Sequence, residues 1–324
     1  MNSPRTMPTA KLGSAGPTVS RVALGCMGMS GMYGPADETE SIATIHAALD
    51  LGITLLDTGD FYGQGHNEML IGRALKGRRD GALLSVKFGA LRTPDGGWGG
   101  YDARPAAVKN FLAYSLTRLG VDYIDIYRPA RLDPAVPIEE TIGAIADLKH
   151  AGYVRHIGLS EVGPETIRRA HAVHPICDVQ LEYSLVTRKP EEKILPVLRD
   201  LGIGMTAYGV LSRGLLAGSH PAACGDFRAL LPRFTGDNGV RNQRLVQRLA
   251  EMASERGVSS AALALAWVLA RGEGITPIMG ARTREQLAEI PAALGLELSP
   301  EDLEGIETEI PPAAIVGARY RLCS

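Results

Sequence analysis

Leu55-Leu56-Asp57-Thr58-Gly59-Asp60-Phe61-Tyr62-Gly63 joins a short apolar run to a polar loop that contains glycine. A run of this kind is typical of a buried parallel strand. The next run, Leu83-Leu84-Ser85-Val86-Lys87, ends in an ammonium group. Because parallel strands all end on the same side, the spacing predicts that Asp57, Tyr62 and Lys87 lie on one face of the fold.

The same pattern recurs along almost the whole chain, with amphipathic stretches between the apolar runs. The eight predicted strands are residues 22–25, 54–57, 83–87, 123–127, 157–160, 178–181, 204–207 and 275–279. The predicted helices are residues 38–51, 67–75, 106–119, 138–151, 164–172, 191–201, 242–256, 260–270 and 284–290. This alternation indicates one α/β domain with a (β/α)8 TIM barrel rather than a doubly wound sheet with a second domain.

The glycines after the first predicted strand support the barrel. Gly25-Cys26-Met27-Gly28-Met29-Ser30-Gly31 does not have the GxGxxG spacing of a dinucleotide-binding turn. We expect residues 1–324 to form a single barrel domain, with residues 9–20 as an N-terminal β-hairpin that plugs it. Two long insertions, residues 90–104 and 211–240, follow the third and seventh strands. Both are expected on the C-terminal face, where barrels place their sites.

The composition excludes several classes of function. A chain of 324 residues with 45% apolar content can bury a large core. The formal net charge is −2 and no basic block occurs, so neither nucleic acid nor an anionic membrane surface is an expected partner. No signal peptide and no membrane span is recognisable. Four scattered cysteines, Cys26, Cys177, Cys224 and Cys323, fit a reducing cytoplasm. We expect a monomer or a weak homo-oligomer with a small-molecule substrate.

Asp57, Tyr62 and Lys87 together have the properties of a tuned general acid. A phenol has an ordinary pKa of about 10 and is a weak acid at neutral pH unless a nearby cation stabilises its phenolate. Lys87 supplies such a cation, and Asp57 supplies the counter-charge that keeps the ammonium charged and oriented. Each residue alone is an ordinary surface or capping residue, so the prediction depends on their joint placement.

Five motifs occur in a fixed order along the chain: Asp57-Thr58-Gly59-Asp60-Phe61-Tyr62-Gly63, Ser85-Val86-Lys87-Phe88-Gly89, Ser115-Leu116-Thr117-Arg118-Leu119-Gly120-Val121-Asp122-Tyr123-Ile124-Asp125, Ile157-Gly158-Leu159-Ser160 and Val179-Gln180-Leu181-Glu182-Tyr183-Ser184. On these motifs the sequence resembles the aldo-keto reductase family, over residues 9–310. The resemblance implies a barrel oxidoreductase that binds NADPH in extended form without a Rossmann domain. It also implies reduction of an aldehyde or ketone, or the reverse reaction, in which Tyr62 protonates the carbonyl oxygen while Lys87 and Asp57 tune it.

The resemblance fails at one member of the family's catalytic tetrad. The family has a histidine after the fourth strand, whereas this chain has Ala130 in Tyr127-Arg128-Pro129-Ala130-Arg131-Leu132-Asp133-Pro134. Alanine donates no hydrogen bond, so Tyr62 alone, a water, or Arg128 or Arg131 must orient the carbonyl. The simpler role for Arg131 is a salt bridge with nearby carboxylates. The departure also keeps open a second function, an NADPH-binding redox sensor or regulatory subunit with slow or no turnover.

The resemblance assigns cofactor contacts where the family's motifs survive. Tyr208 would stack on the nicotinamide, unless it only fills the barrel mouth, and Ser160 and Gln180 would hold the carboxamide. Contacts farther along the dinucleotide are assigned to Gly209, which replaces a usual serine, and to Leu211, Arg213, Gly280, Arg282 and Gln286. Arg282 is the candidate clamp for a 2′-phosphate, with Arg284 as a weaker alternative, and this favours NADPH over NADH.

The substrate is expected above the nicotinamide. Trp98, Met29 and Tyr33 are predicted to line an apolar pocket suited to bulky or aromatic carbonyl compounds, although a loop methionine is also explained by packing alone. No metal site is expected, because the sequence has no HExxH or CxxC motif. His66 is better explained by the start of a helix than by catalysis.

Overall fold

Eight parallel strands close into a barrel in the computed structural model, which describes residues 7–221 and 226–319. In chain order the barrel strands are β1 (Ala23–Gly25), β2 (Leu55–Gly59), β3 (Leu83–Phe88), β4 (Ile124–Pro129), β5 (Val154–Ser160), β6 (Asp178–Glu182), β7 (Gly204–Tyr208) and β8 (Ile275–Gly280). Consecutive strands pair in parallel, and β8 pairs with β1. The predicted TIM barrel is confirmed, and each of the predicted strands overlaps an observed one.

Helices follow the strands around the barrel. In the described residues they are α1 (Glu38–Asp50), α2 (His66–Ala74), α3 (Pro105–Leu119), α4 (Ile138–His150), α5 (Pro164–Val173), α6 (Pro190–Leu201), α7 (Gly236–Glu255), α8 (Ser260–Leu269), α9 (Arg284–Leu287), α10 (Glu289–Gly295) and α11 (Pro300–Glu309). The predicted helix at 284–290 is two helices, because Pro291 lacks an N–H group and suits the first turn of a new helix. The sequence prediction missed α11, whose start carries a capping box between Ser299 and Asp302.

The N-terminal hairpin closes one end of the barrel. Its strands, Thr9–Lys11 and Thr18–Ser20, pair as predicted. Leu12, in the turn between them, is 1% exposed and packs with side chains of the barrel interior. Gly13 has a φ of +69°, and a Cβ atom at this position would lie 2.4 Å from the carbonyl oxygen of Cys177. The hairpin therefore seals the N-terminal end of the barrel, and the opposite end carries the long loops.

The two insertions differ in their structure. The first contains a hairpin, Ala90–Arg92 paired with Trp98–Tyr101, which the sequence prediction treated as a loop. The second ends at residue 235, earlier than predicted, because α7 begins at Gly236. Glycine is a poor helix former, so Gly236 and Gly239 conceal this start in the sequence. Both insertions follow the carboxyl ends of barrel strands, which places them around the C-terminal face.

Candidate active site

Asp57 and Lys87 form a buried ion pair where β2 and β3 run side by side. The register sets Asp57 opposite Ser85 and Gly59 opposite Lys87. Lys87 Nζ donates to Asp57 Oδ1, and the two residues are 4% and 5% exposed. Tyr62 follows β2, and the centroid of its ring lies 5.2 Å from Lys87 Nζ. The structure thus brings together the three side chains that the sequence singled out.

The surroundings of Lys87 act on its pKa in opposite directions. Burial lowers the pKa of the Lys87 ammonium, and the charge of Asp57 only partly restores it. The positive charges of Arg128 and Arg131 lower it further, so the net shift is downward. A buried ammonium of lowered pKa gains more from a neighbouring negative charge than an exposed one does. The ring of Tyr62 is thus close to a buried ammonium of lowered pKa.

The second oxygen of Asp57 faces the barrel interior. Asp57 Oδ2 accepts from Ser85 Oγ at 2.9 Å and from Gln180 Nε2 at 2.8 Å. Ser85 Oγ in turn accepts from the Arg128 guanidinium at 3.1 Å. Arg128 is fully buried and lies 2.8 Å from a carboxylate oxygen of Asp178, which is also fully buried. A second ion pair therefore lies inside the barrel, closer to its N-terminal end.

Ala130 occupies the position of the missing histidine, directly after β4, and is 2% exposed. Arg131 donates to the carbonyl oxygen of Ala130 at 2.7 Å. The charge of Arg131 reaches both Lys87 and Glu161, at the ends of neighbouring strands. Arg128, by contrast, points into the barrel. The two arginines that the sequence offered as replacements for histidine thus lie at different depths.

Ser160, the last residue of β5, lies in register with Gln180 in the middle of β6. Ser160 Oγ is buried and has no hydrogen-bond partner among the described residues. Gln180 directs its amide nitrogen to Asp57, which makes its oxygen the atom that can accept from a ligand. Tyr208 ends the next strand, β7, in register with Glu182. A buried hydroxyl without a partner, beside an amide oxygen and a planar ring, suits a ligand that carries a carboxamide.

Two of the predicted cofactor contacts are glycines, and a third is apolar. Gly209 follows β7 with a φ of +67°, and a Cβ atom there would lie 3.2 Å from Cγ of Glu182. The backbone therefore favours glycine over the family's usual serine. Gly280, at the end of β8, has open space where a side chain would project, which leaves room beside its backbone. Leu211 is half-buried and packs against the hydrophobic core.

Arg213 belongs to a cluster of charges at the ends of β5 and β6. Glu182 is 2% exposed and lies 3.3 Å from Arg213, 3.6 Å from Arg233 and 3.3 Å from Arg319. Arg319 also lies 2.7 Å from Glu161. Three guanidinium groups and two carboxylates thus lie together here, and guanidinium groups are well suited to bind phosphate.

Arg282 connects the loop after β8 with the loop after β1. Its guanidinium donates to the carbonyl oxygen of Tyr33 at 2.8 Å, and its backbone N–H donates to Gln286 Oε1 at 2.9 Å. Arg284 makes a two-pronged contact with Glu40 instead. Among the described residues, Arg282 forms no ion pair, whereas the charge of Arg284 is already matched.

The predicted substrate residues are placed differently from one another. Trp98 is 53% exposed, and its ring centroid lies 5.9 Å from that of Phe61, which lies 4.8 Å from that of Tyr62. Tyr33 lies where the loop after β1 pairs with the second insertion. Met29 is 1% exposed and packs in the main hydrophobic core, as the packing alternative for this residue predicts. Of these three residues, Trp98 therefore has the most exposed side chain, and Phe61 connects it with Tyr62.

The sequence that forms this barrel matches a known family. A model of the aldo/keto reductase family matches residues 21–309, most of the chain. The chain belongs to the aldo-keto reductase family. It is therefore an NAD(P)H-dependent oxidoreductase that acts on carbonyl groups or the corresponding alcohols, as the resemblance in the sequence implied.

Relatives of this aldo-keto reductase share nearly its whole length. The probable aldo-keto reductase 1 of Glycine max is 41% identical over 317 residues, which is 96% of this chain and 91% of the relative. The glycerol dehydrogenase AKR11B4 of Gluconobacter oxydans is 30% identical with a TM-score of 0.83, covering 94% of this chain and 96% of that one. The holo form of the aldo-keto reductase AKR11C1 of Bacillus halodurans is 30% identical with a TM-score of 0.78, covering 94% and 97%.

Several residues of this aldo-keto reductase's site escaped the sequence analysis. Ser85 and Asp178 are polar residues inside predicted strands, and the sequence analysis gave neither of them a role in the site. Asp60 is buried two residues before Tyr62, and burial together with the charge of Glu68 raises its pKa to about 8. The available signal was the polarity of Ser85 within an apolar run, since alternate residues of a strand face the same side and Lys87 is two residues away.

The described residues contain neither a metal-binding cluster nor a helix that could cross a membrane. Within residues 7–221 and 226–319, no three histidine, cysteine, aspartate or glutamate side chains are grouped so as to hold a metal ion. In the same part of the aldo-keto reductase, no helix has the length and apolar character needed to span a membrane.

Proposed function

We propose that this enzyme reduces an aldehyde or a ketone with NADPH, or oxidises the alcohol in the reverse direction, and that Tyr62 is its general acid. The observation that carries the proposal is the buried contact of Lys87 with Asp57, which holds the ammonium 5.2 Å from the centre of the Tyr62 ring. The three residues lie at the C-terminal end of the barrel, where sites of this fold are built.

The three side chains have distinct roles in the proposed reaction. When bound, the dinucleotide supplies or accepts a hydride at the substrate carbon. Tyr62 gives its phenolic proton to the substrate oxygen, on which negative charge develops during reduction. Lys87 stabilises the phenolate that remains, and Asp57 fixes the ammonium toward the ring. In the reverse direction the same phenolate accepts the proton of the alcohol.

The residues around the barrel mouth fit a nicotinamide. A carboxamide has an N–H donor pair and a carbonyl acceptor, which complement the Gln180 oxygen and the Ser160 hydroxyl. The buried, unpartnered Oγ of Ser160 supports this fit, because such groups in native proteins usually have a partner. Tyr208, on the next strand, would stack on the ring. Arg213 with its charge cluster, the backbones of Gly209, Leu211 and Gly280, and the Gln286 side chain would follow the rest of the dinucleotide.

Arg282 supports NADPH over NADH. Its guanidinium donates to backbone carbonyl oxygens and keeps its positive charge available for a 2′-phosphate, whereas Arg284 is held by Glu40. We expect Arg282→Ala to raise the Kd for NADPH by roughly tenfold or more while the Kd for NADH stays the same. Arg284→Ala is the matched control and should change neither constant by more than about twofold. Equal losses for the two cofactors in Arg282→Ala would reject the clamp.

The aromatic pair of Trp98 and Phe61 beside Tyr62 supports a substrate with an aromatic or bulky apolar group. Aromatic contacts of this kind contribute about 0.5–1.5 kcal/mol beyond the area they bury. Trp98→Ala should therefore raise KM for aromatic aldehydes several-fold, with little change for short aliphatic aldehydes. Tyr101→Ala, on the same hairpin, serves as a control. An equal effect on both substrate classes would exclude Trp98 from the substrate site.

The cysteines support the expected reducing cytoplasm. Cys26 and Cys177 are free and buried, while Cys224 and Cys323 lie outside the described residues. Thiol titration of the freshly purified, unfolded protein should find all four cysteines of the sequence reduced. A disulfide in that sample would contradict the assignment.

The decisive experiment follows NADPH oxidation spectrophotometrically against a panel of aldehydes and ketones. Tyr62→Phe should lower kcat by roughly 1000-fold, as expected for loss of a proton donor in the transition state, while the Kd for NADPH stays the same. Tyr114→Phe, at an exposed tyrosine of α3, should leave kcat unchanged. Undiminished turnover in Tyr62→Phe would eliminate the proposed acid.

Ala130 favours a second candidate, an NADPH-binding sensor or regulatory subunit. Stoichiometric NADPH binding by the wild-type protein, with no carbonyl in the panel reduced, would favour this alternative. Ala130→His then separates the two cases, because it restores a side-chain donor where the family has one. A rise in kcat would show that the missing donor limits an enzyme. A variant that binds NADPH and still reduces nothing would support the regulatory role.

A further inference from the structure

The barrel interior contains a fixed cation connected to the catalytic carboxylate. Arg128, on β4, is fully buried, and its guanidinium donates to Asp178 Oδ2 at 2.8 Å and to Thr206 Oγ1 at 3.3 Å. On its other side it donates to Ser85 Oγ at 3.1 Å. Ser85 then donates to Asp57 Oδ2 at 2.9 Å. One hydroxyl group therefore separates the interior cation from the carboxylate that holds Lys87.

The direction of this chain follows from the chemistry of its members. A guanidinium has five N–H donors and no acceptor, so the Ser85 oxygen can only accept from Arg128. A serine hydroxyl has a single proton, and with Arg128 at its lone pair that proton is left for Asp57. Since a carboxylate only accepts, Asp57 completes the chain. Arg128 thus selects one of the orientations that a serine hydroxyl otherwise samples.

The position of Arg128 relates it to the departure at Ala130. The two residues are two apart, and alternate residues of a strand face the same side. The chain thus has an interior cation directly below the place where it lacks a side-chain donor. The β3–β4 register also sets Arg128 opposite Lys87. Arg128 therefore lies beside Lys87 on the neighbouring strand, and Ser85 connects it with Asp57.

We propose that Arg128 is a positioning residue of the active site, which orients the Ser85 hydroxyl toward Asp57 and thereby holds the carboxylate that directs Lys87 to Tyr62. The proposal rests on the proposed function of Tyr62 and goes beyond it, since it assigns Arg128 and Ser85 a role in the reaction.

The groups that face this chain come from several elements. Around Lys87 they are Asp57 on β2, Cys26 after β1, Arg128 on β4 and Arg131 after it, and the buried Asp60 lies two residues before Tyr62 in the chain. Around Arg128 they are Asp178 at the start of β6 and Cys177 just before it. A change in pH dependence must be assigned against all of them. Variants that keep every charge in place therefore give the cleanest test.

A competing explanation is that Arg128 only neutralises Asp178. The chain offers a matched pair of hydroxyls to separate the two explanations. Ser85 and Thr206 both accept from Arg128 and donate to a carboxylate, but the carboxylate is Asp57 for Ser85 and Asp178 for Thr206. Ser85→Ala and Thr206→Val each remove one hydroxyl and leave the Arg128–Asp178 pair and all charges in place.

The experiment compares kcat, KM and the Kd for NADPH in the two variants. Ser85→Ala should lower kcat roughly tenfold, the scale of losing one hydrogen bond to a charged group, with the Kd for NADPH unchanged. Thr206→Val should change kcat less than about twofold. Ser85→Thr keeps a hydroxyl and should recover most of the loss. Equal losses in Ser85→Ala and Thr206→Val, or no loss in Ser85→Ala, would overturn the proposal.

A second measurement does not depend on turnover, so a failure of the proposed function remains distinguishable. The ionisation of Tyr62 is followed by ultraviolet difference titration, with Tyr62→Phe as the reference, in the protein without cofactor. Ser85→Ala should shift the ionisation of Tyr62 to higher pH than in the wild type, and Thr206→Val should not. An identical titration in all three proteins would overturn the positioning role, whereas an inactive wild type with a shifted titration would reject only the proposed reaction.

Discussion

Two buried ion pairs share the barrel interior and differ in the chemistry of their cations. Lys87 contacts Asp57 near the C-terminal end, and Arg128 contacts Asp178 closer to the N-terminal end. All four side chains are at most 6% exposed. The first pair lies beside the ring of Tyr62, whereas the second is enclosed by strands.

Burial has different consequences for the two cations. It lowers the pKa of Lys87 despite the opposing charge of Asp57. Burial alone would lower the pKa of Arg128 as well, but the charges of Asp178 and Asp57 outweigh it and raise that pKa. A guanidinium stays charged at any pH at which the protein folds, whereas a buried ammonium responds to its neighbours. The pair of Lys87 and Asp57, here called the rim pair, is therefore suited to proton transfer. The pair of Arg128 and Asp178, the inner pair, is suited to fixing the geometry of the site.

The largest expected effect comes from removing the positive charge of Lys87. Lys87→Met keeps the length of the side chain but removes its charge, so the Tyr62 phenolate loses its stabilisation and kcat should fall by roughly 1000-fold. The Kd for NADPH, measured by fluorescence, separates this loss from a binding defect. Lys109→Met, at a half-exposed surface ion pair, is the control and should retain full activity. A fall in kcat of less than about tenfold in Lys87→Met would contradict the role of the rim pair in proton transfer.

The next prediction concerns stability. Arg128→Met leaves the charge of Asp178 buried without its cation, which should lower the free energy of unfolding by about 3–5 kcal/mol. The double variant Arg128→Met with Asp178→Leu removes both charges and should recover most of that loss. Urea denaturation of the single and double variants measures both values. A double variant as unstable as Arg128→Met would mean that the guanidinium contributes by packing rather than by pairing with Asp178.

The rim pair could be predicted from the sequence, because its members end apolar runs. Strand ends are visible where Leu-rich stretches meet Gly59 or Gly89, and in a barrel all such ends share one face. Knowing that Asp57 and Lys87 end consecutive strands was therefore sufficient to place them together. The same reasoning could not predict how deeply Asp57 and Lys87 are buried. It also could not predict which side chains donate to Asp57 Oδ2.

The inner pair could not be predicted, because it depends on register across strands that are distant in sequence. Arg128 and Asp178 lie on β4 and β6, which are not neighbours, and the contact passes across the barrel interior. Sequence shows only two polar residues in apolar surroundings, and the choice between inward and outward orientation is set by the closed barrel. Glu182 and Arg319 are a further example, since a residue near the C-terminus meets a strand end far from it in sequence.

Asp60 extends the comparison to a buried carboxyl group that, within the described residues, forms no ion pair. Burial, reinforced by the charge of Glu68, raises its pKa from 3.8 to about 8. A carboxyl group whose pKa is higher in the folded state stabilises the fold fully below its ordinary pKa, and this contribution is lost as pH rises through about 8. Wild-type stability should therefore fall over this range relative to a variant that cannot ionise at this position.

Asp60→Asn should consequently gain stability relative to the wild type as pH rises from about 4 to about 8, by at least ~1 kcal/mol at the upper end. Thermal unfolding at a series of pH values measures the difference, and Asp122→Asn, at an exposed position, should run parallel to the wild type. Parallel curves for Asp60→Asn would mean that Asp60 is already ionised in the fold. Its carboxylate would then owe its ionisation to the hydrogen bond from the Gly89 N–H and the charge of Arg118, which favour the charged form against the cost of burial.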